Sequence, residues 1–295
     1  MISQTRGEKV FGVFNNIFFL VLAIAMIYPY WHIIMVSFSS ATETSRGGIF
    51  LWPRGFNFQV YRAVFKNPQI LTGYQTTVMV TVIGTFTGLL VTAMTAYACS
   101  KQFLPFVSFI MLAILFTMIF NGGMIPNYLL IRNMRLIDNR LALILPGLVS
   151  PFNIIIMRTF FKALPASLEE SAKIDGANDV YIFVTIVLPL SKAVLATIGL
   201  FIAVGYWNDF FSTVLYINSA NKWSMMAVLR HMITQTATAM AAAGISSNAD
   251  IELQMITETT VRAGTIVVTT VPILVVYPFL QKHFVKGAMI GSIKG

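Results

Sequence analysis

Six stretches of this chain run for about twenty residues or longer with almost no charge. That length and apolarity suit a helix crossing the roughly 30 Å hydrocarbon core of a bilayer. They lie near residues 11–38, 74–99, 104–125, 141–160, 191–216 and 261–281. Only 11% of the 295 residues are charged and 57% are hydrophobic, against roughly 25% charged in a soluble domain. Water therefore cannot be the solvent for most of the surface. Barrel strands need segments of about ten residues with alternating polarity, and these stretches are longer and apolar all round. Inside lipid each backbone group must be satisfied by its own segment, which favours helices. The expectation is an all-α, polytopic membrane protein with six transmembrane helices in a single domain, 1–295.

The first stretch follows a basic head, Arg6 and Lys9, but ends in Tyr28, Pro29, Tyr30 and Trp31. A cleaved leader has a shorter core and a small-residue site, so the stretch reads as a retained helix with an aromatic belt at its end. The net charge of +9 is scattered over loops, as contact with phospholipid head groups requires, and does not point to nucleic acid. One cysteine, Cys99, rules out a disulfide framework or a cysteine-based metal cluster and reads as a small buried residue at a helix end. The 20 lysines and arginines divide evenly between the two sides of a six-span topology. The positive-inside rule therefore leaves orientation open.

Outside the six stretches, Trp52, Phe56, Phe58, Tyr61 and Phe65 alternate with Arg54 and Arg62, a pattern for an element at the membrane interface, with sugar binding the alternative. The basic segment IRNMRLIDNR, residues 131–140, reads as a turn. In the 217–260 loop, MMAVLRHMITQTATAMAAAG is helix-prone, while Arg230 and His231 argue against a seventh span. His231 reads as a surface histidine.

The sharpest departure from apolarity is SLEESAKIDGANDVYIFVTIVLPL, residues 167–190. Ser167 and Glu170 have the spacing of a capping box, Gly176 suits a left-handed helix end, and Asn178 or Asp179 can cap a second helix, Val180–Leu188, ended by Pro189. Two short helices outside the lipid follow. Tyr181, Ile182, Phe183, Ile186 and Val187 give the second more apolar surface than a solvated loop exposes. It either docks on another protein or packs as a re-entrant turn on its own spans; the residues alone leave both open.

The run Glu170-Ser171-Ala172, three residues, Gly176, nine residues, then Ile186-Val187-Leu188-Pro189 resembles the EAA loop, E-A-A-x3-G-x9-I-x-L-P, of permease subunits of binding-protein-dependent ABC importers. Ser171 in place of alanine is the one departure. The sequences NRLALILPGLVSPFNIIIMRTFFKALP, GYWNDFF and FVKGAMIGSIKG extend the likeness over nearly the whole chain, to the maltose-permease-like carbohydrate branch. GGMIPNYLLI and MRTFFKALP are most similar to permeases for larger oligosaccharides.

The resemblance implies a cytoplasmic EAA loop, about residues 165–189, seated in a cleft of an ATPase subunit, with both termini cytoplasmic in a bacterial cell membrane. It implies that Glu170, Ser171, Ala172, Asp175, Gly176, Ala177, Ile186, Leu188 and Pro189 form the coupling contact, and that the basic tail, Lys282–Gly295, reaches the ATPases. The implied partners are a second, homologous permease, two cytoplasmic ATPases, an extracellular solute-binding protein, a carbohydrate and the bilayer. No cofactor is expected in this chain. It lacks G-x-x-x-x-G-K-[ST], in keeping with the resemblance, which implies that ATP and Mg2+ are bound by the ATPase; the expectation is that this chain is no enzyme.

For a substrate path, Tyr206, Trp207, Asn208, Asp209 and Phe210 combine aromatic faces with hydrogen-bonding groups at the end of the fifth stretch; interfacial anchoring is the alternative. Asn121, Asn127 and Tyr128 form a second set. No metal site is expected, and the 16 methionines read as packing. A self-sufficient secondary transporter would need intramembrane acids or inverted repeats; the six stretches are nearly free of acids, Asp209 being the main exception, and no two halves look alike. A structural or insertase-like membrane protein would not need the polar loop.

Overall fold

The computed structural model describes residues 6–101, 104–243 and 259–275. The end of the sixth apolar stretch, the basic tail and most of the segment preceding residue 259 lie outside them. Every regular element among the described residues is helical. Two helices, Arg6–Ser37 and Pro68–Ser100, are unbroken and long enough to cross a membrane. The remaining apolar stretches are not single rods. Val107–Ile119 turns by 114° into Met124–Asn133, Leu141–Gly147 by 52° into Pro151–Lys162, and Asp179–Leu190 by 84° into Lys192–Asn208. Thr259–Val275 is a shorter apolar helix.

This corrects the expectation of one helix over 104–125 and one over 141–160. The first breaks at Phe120–Gly123, where Gly123 takes a positive φ of 90° and its N–H donates to the Asn121 side chain at 2.9 Å. Glycine carries that conformation without a Cβ penalty. The second breaks before Pro151, which brings no N–H to continue the ladder. The 191–216 stretch likewise divides, at Asp209, into Lys192–Asn208 and Phe211–Tyr216.

The described residues form two compact units, 6–67 with 231–243 and 259–270, and 68–101 and 104–230 with 271–275. In the first, Arg6–Ser37 is exposed along most of its length, and its buried end, Met35 and Val36, packs with Phe50 and Ala263. The Ser37 and Tyr61 hydroxyls share a hydrogen bond at 2.8 Å, and Phe38 lies against the rings of Phe56, Phe58 and Tyr61. Trp52, Phe56, Phe58 and Phe65 are exposed, the surface that an interfacial element presents.

In the second unit the 68–100 helix is the spine. Its buried face reads Gly73, Thr76, Thr77, Val80, Gly84, Gly88, Thr92, Ala93, Ala96. Small residues at about four-residue spacing let neighbouring backbones approach closely in a membrane, where water contributes no hydrophobic drive between helices. At Gly88 an added Cβ would lie 3.1 Å from the Leu148 carbonyl, and at Gly84 it would lie 2.5 Å from the Tyr206 ring. Lys192–Asn208 and Pro151–Lys162 pack on this spine through Ile198, Ile202, Ile154 and Met157. Cys99 is buried at the spine's end, as expected.

Candidate coupling turn and transport cavity

The segment 166–190 is built from its caps outward. The first helix is Ala166–Ile174 and its N-cap is Pro165, with no side-chain cap bond. Ser167 therefore lies inside the first turn, and the expected capping box does not form. Proline is already tolerated at a helix start, since no intrahelical partner awaits its missing N–H. The C-terminus behaves as the sequence indicates. Gly176 has φ +84°; its N–H donates to the Lys173 carbonyl at 3.1 Å, and the Ala177 N–H to the Ala172 carbonyl at 2.9 Å. This pair of bonds is the Schellman arrangement, which satisfies two orphan carbonyls. The Asn178 side chain then accepts from the Tyr181 N–H at 2.8 Å, capping the second helix.

That second helix runs from Asp179 to Leu190 and widens into a π turn over Phe183–Val187. Pro189 lies within its last turn and does not end it; the chain turns at Ser191. The missing Pro189 N–H interrupts the ladder where the widened turn closes.

The turn has two faces. Ile182, Phe183 and Val187 are buried, and Ala172, Ala177, Ile186 and Leu188 are half-buried on the same core. The Phe183 ring lies 4.9 Å from that of Tyr97. Glu169 pairs with Lys101, whose ammonium sits 4.0 Å over the Tyr97 ring. One helix end, one ring and one ion pair thus anchor the turn to the spine. The outer face carries Glu170, Ser171, Asp175 and Gly176, all exposed, together with Ile174 at 87% exposure and exposed Leu168, Val180, Tyr181 and Val184. The inner face packs on the chain's own helices, and the outer face is an exposed, apolar, acid-edged surface.

The five residues at 206–210 separate. Tyr206 is buried, its hydroxyl donating to the Ile144 carbonyl at 2.8 Å, in space left by Gly84 and Gly147. Trp207 has a buried indole N–H with no partner among the described residues and meets the Tyr74 ring edge-on. Asn208 turns its amide back to the Val204 carbonyl. Asp209 accepts from the Ser212 N–H at 3.1 Å, and Phe210 lies under the Arg230 guanidinium at 4.5 Å. Only Tyr206 and Asp209 line a cavity of about 510 Å³, with Gly147, Ser150, Phe152, Asn153, Phe201 and Ser212 among the other lining residues. The cavity sits where two helices break, at 148–150 and at 209–210. Non-helical backbone at membrane depth is tolerated when it lines such a space. Asn121, Asn127 and Tyr128 stand apart from it. Asn153, buried and polar, was not singled out in the sequence because one asparagine in an apolar run carries no spacing signal.

A further cluster missed in the sequence lies in the loops. Asp138, itself at φ +61°, accepts from the Asn218 and Ser219 N–H groups, the Ser219 hydroxyl and Lys222. These donors hold its carboxyl well below the usual carboxylate range. The clasp ties the 136–140 turn to residues 217–222, which 80 positions of sequence separate.

Residues 101–289 match the family described as binding-protein-dependent transport system inner membrane component. The chain belongs to that family. As a family member it is a multi-pass membrane component of a transport system, and the self-sufficient alternative is not favoured, since transport in this family depends on a binding protein. Among its relatives, Protein LplC of Bacillus subtilis (strain 168) is 40% identical over 292 residues, covering 99% of this chain and 97% of the relative. The polygalacturonan/rhamnogalacturonan transport system permease protein YtcP of the same organism is 41% identical over 291 residues, covering 98% and 99%. A crystal structure of a bacterial ABC transporter involved in the import of the acidic polysaccharide alginate contains a chain 32% identical to this family member, with a TM-score of 0.86, covering 96% of this chain and all of that one.

Proposed function

We propose that this chain is the permease of an ATP-driven importer for an oligosaccharide, working by alternating access with a second, homologous permease, two ATPases and an extracellular solute-binding protein. Relatives named for polygalacturonan/rhamnogalacturonan transport and alginate import support the carbohydrate class. The observation that carries the coupling role is the outward face of the 166–190 turn. A soluble loop has no reason to keep Ile174, Val180, Tyr181 and Val184 exposed, whereas a cleft on a partner would bury them. In this reading Glu170 faces a basic group of the ATPase, and Asp175, Gly176 and Ala177 set the bend beside the contact. The half-buried Ala172, Ile186 and Leu188, with the exposed Pro189 beside them, pass the motion into the 192–208 helix across the 84° turn. The turn is cytoplasmic, and so are both termini.

ATP and Mg2+ would be bound by the ATPase subunits and not by this chain. The carbohydrate would pass the cavity at the helix breaks, where Asn153, Ser150 and Asp209 can hydrogen-bond hydroxyls and Phe152 and Phe201 can face sugar rings. Of the five residues 206–210, Tyr206 and Asp209 keep a place in that path. Uptake of labelled oligosaccharide into cells carrying the importer tests the coupling. Glu170→Lys should abolish uptake while the chain still inserts and the binding protein still binds sugar. Normal uptake would remove the coupling role.

A further inference from the structure

A second cavity, about 250 Å³, opens beside the coupling turn. Lys101, Arg158 and Lys162 line it with Cys99, Ser100, Ser108 and the apolar Leu104, Phe106 and Val107. No acid appears among these residues. Lys101 is engaged by Glu169, and the Arg158 Nε–H donates to the Cys99 carbonyl at 2.7 Å. The terminal nitrogens of Arg158 and the ammonium of Lys162 have no partner among the described residues. Arg158 and Lys162 are four residues apart on the 151–162 helix, hence on one face. The opening is apolar: Phe106 is 78% exposed, and exposed Phe109 and Ile110 continue down the 107–119 helix. Cations at the head of an apolar, lipid-facing helix match the two ends of an anionic phospholipid, and basic pockets between membrane helices bind such head groups.

We propose that this cavity binds the phosphate head group of an anionic phospholipid, with its acyl chains along Phe106, Phe109 and Ile110. The head group then lies next to Lys101, the residue that anchors the coupling turn through Glu169. The site belongs to the bilayer-facing side of the permease and is independent of the sugar path.

Native mass spectrometry of the intact importer, released from mild detergent, tests it with phosphatidylglycerol, phosphatidylcholine and inorganic phosphate as probes. The wild type should retain phosphatidylglycerol over phosphatidylcholine. Each cation contributes on the order of 1 kcal/mol to anionic-lipid attraction, so Arg158→Gln/Lys162→Gln should lower that preference about 30-fold, or about 2 kcal/mol. The charge-conserving pair Arg158→Lys/Lys162→Arg should keep it, and so should Lys66→Gln, a charge loss elsewhere in the chain. Equal retention of both lipids, or an unchanged preference in the neutral double variant with intact assembly, overturns the proposal. So does displacement of phosphatidylglycerol by equimolar inorganic phosphate, which would assign the site to a free anion. Uptake activity is not the readout, so failure here leaves the transport reading untouched.

Discussion

The coupling turn and the 206–210 stretch are similar in content, each a short polar interruption of apolar sequence, yet they are built in opposite ways. In the turn, every cap comes from within the segment: the Gly176 bend, the Ala172–Ala177 bond and the Asn178 cap. Its inner and outer faces follow from helix period alone. At 206–210 the helix ends, and of five successive side chains only Tyr206 and Asp209 reach the same cavity. The cavity there takes its polar groups from residues 150, 153, 209 and 212, contributed by both broken helices. A docking element can be local; a path through a membrane is assembled from breaks in several helices.

The comparison can be broken at the turn first. Gly176→Pro forces φ from +84° toward −65°, which removes the Schellman end and rotates the second helix. Oligosaccharide uptake should fall below a tenth of wild type with membrane insertion retained, whereas Asp209→Asn should lower uptake less and leave ATPase stimulation by the loaded binding protein in place. Equal loss of that stimulation in both variants would mean the two regions are not separable. Next in size, Gly84→Leu drives a side chain into the Tyr206 ring and should cost about 1–3 kcal/mol or more by overpacking, read as a lowered unfolding temperature in detergent; an unchanged value would contradict the close packing of spine and 192–208 helix.

Asp138→Asn removes the charge that collects four donors. Charge-assisted hydrogen bonds contribute about 1.5–3 kcal/mol each when sheltered, but this carboxylate is partly exposed, so screening reduces the expected loss to about 1–2 kcal/mol. Its folded pKa is depressed, so its contribution is complete above the unfolded value of about 3.9 and is lost as pH falls through the folded one. Wild type should therefore hold the clasp at pH 5 and lose it only in stronger acid, as hydrogen exchange at residues 218 and 219 would report. The smallest effect is at the second helix cap. Asn178→Ala should cost about 1 kcal/mol, visible as faster amide exchange at Tyr181 and little change in uptake.

How much of this was legible depended on range. The helical membrane fold follows from apolar length, and the Gly176 end and Asn178 cap follow from residues within four positions. The Ser167 capping box failed because Pro165 already starts the helix, a competition that spacing alone does not rank. The breaks at 120–123, 148–150 and 209 were hidden because uninterrupted apolar sequence looks the same in a straight or a bent span. Asp138 and Asn153 gain their meaning from partners and walls far along the chain, so nothing near them in sequence marks them.

The central claim is that an ATPase grips the outer face of the 166–190 turn. Ile174→Cys places an exposed thiol at its tip, while the native Cys99 is buried and serves as the unreactive background. In membranes carrying the whole importer, a short bifunctional thiol reagent should join Ile174→Cys to the ATPase subunit, with the yield changing when ATP is added, and should give no adduct in wild type. Absence of that adduct, with Ile174→Cys still reactive to a soluble maleimide in the assembled importer, would contradict the account.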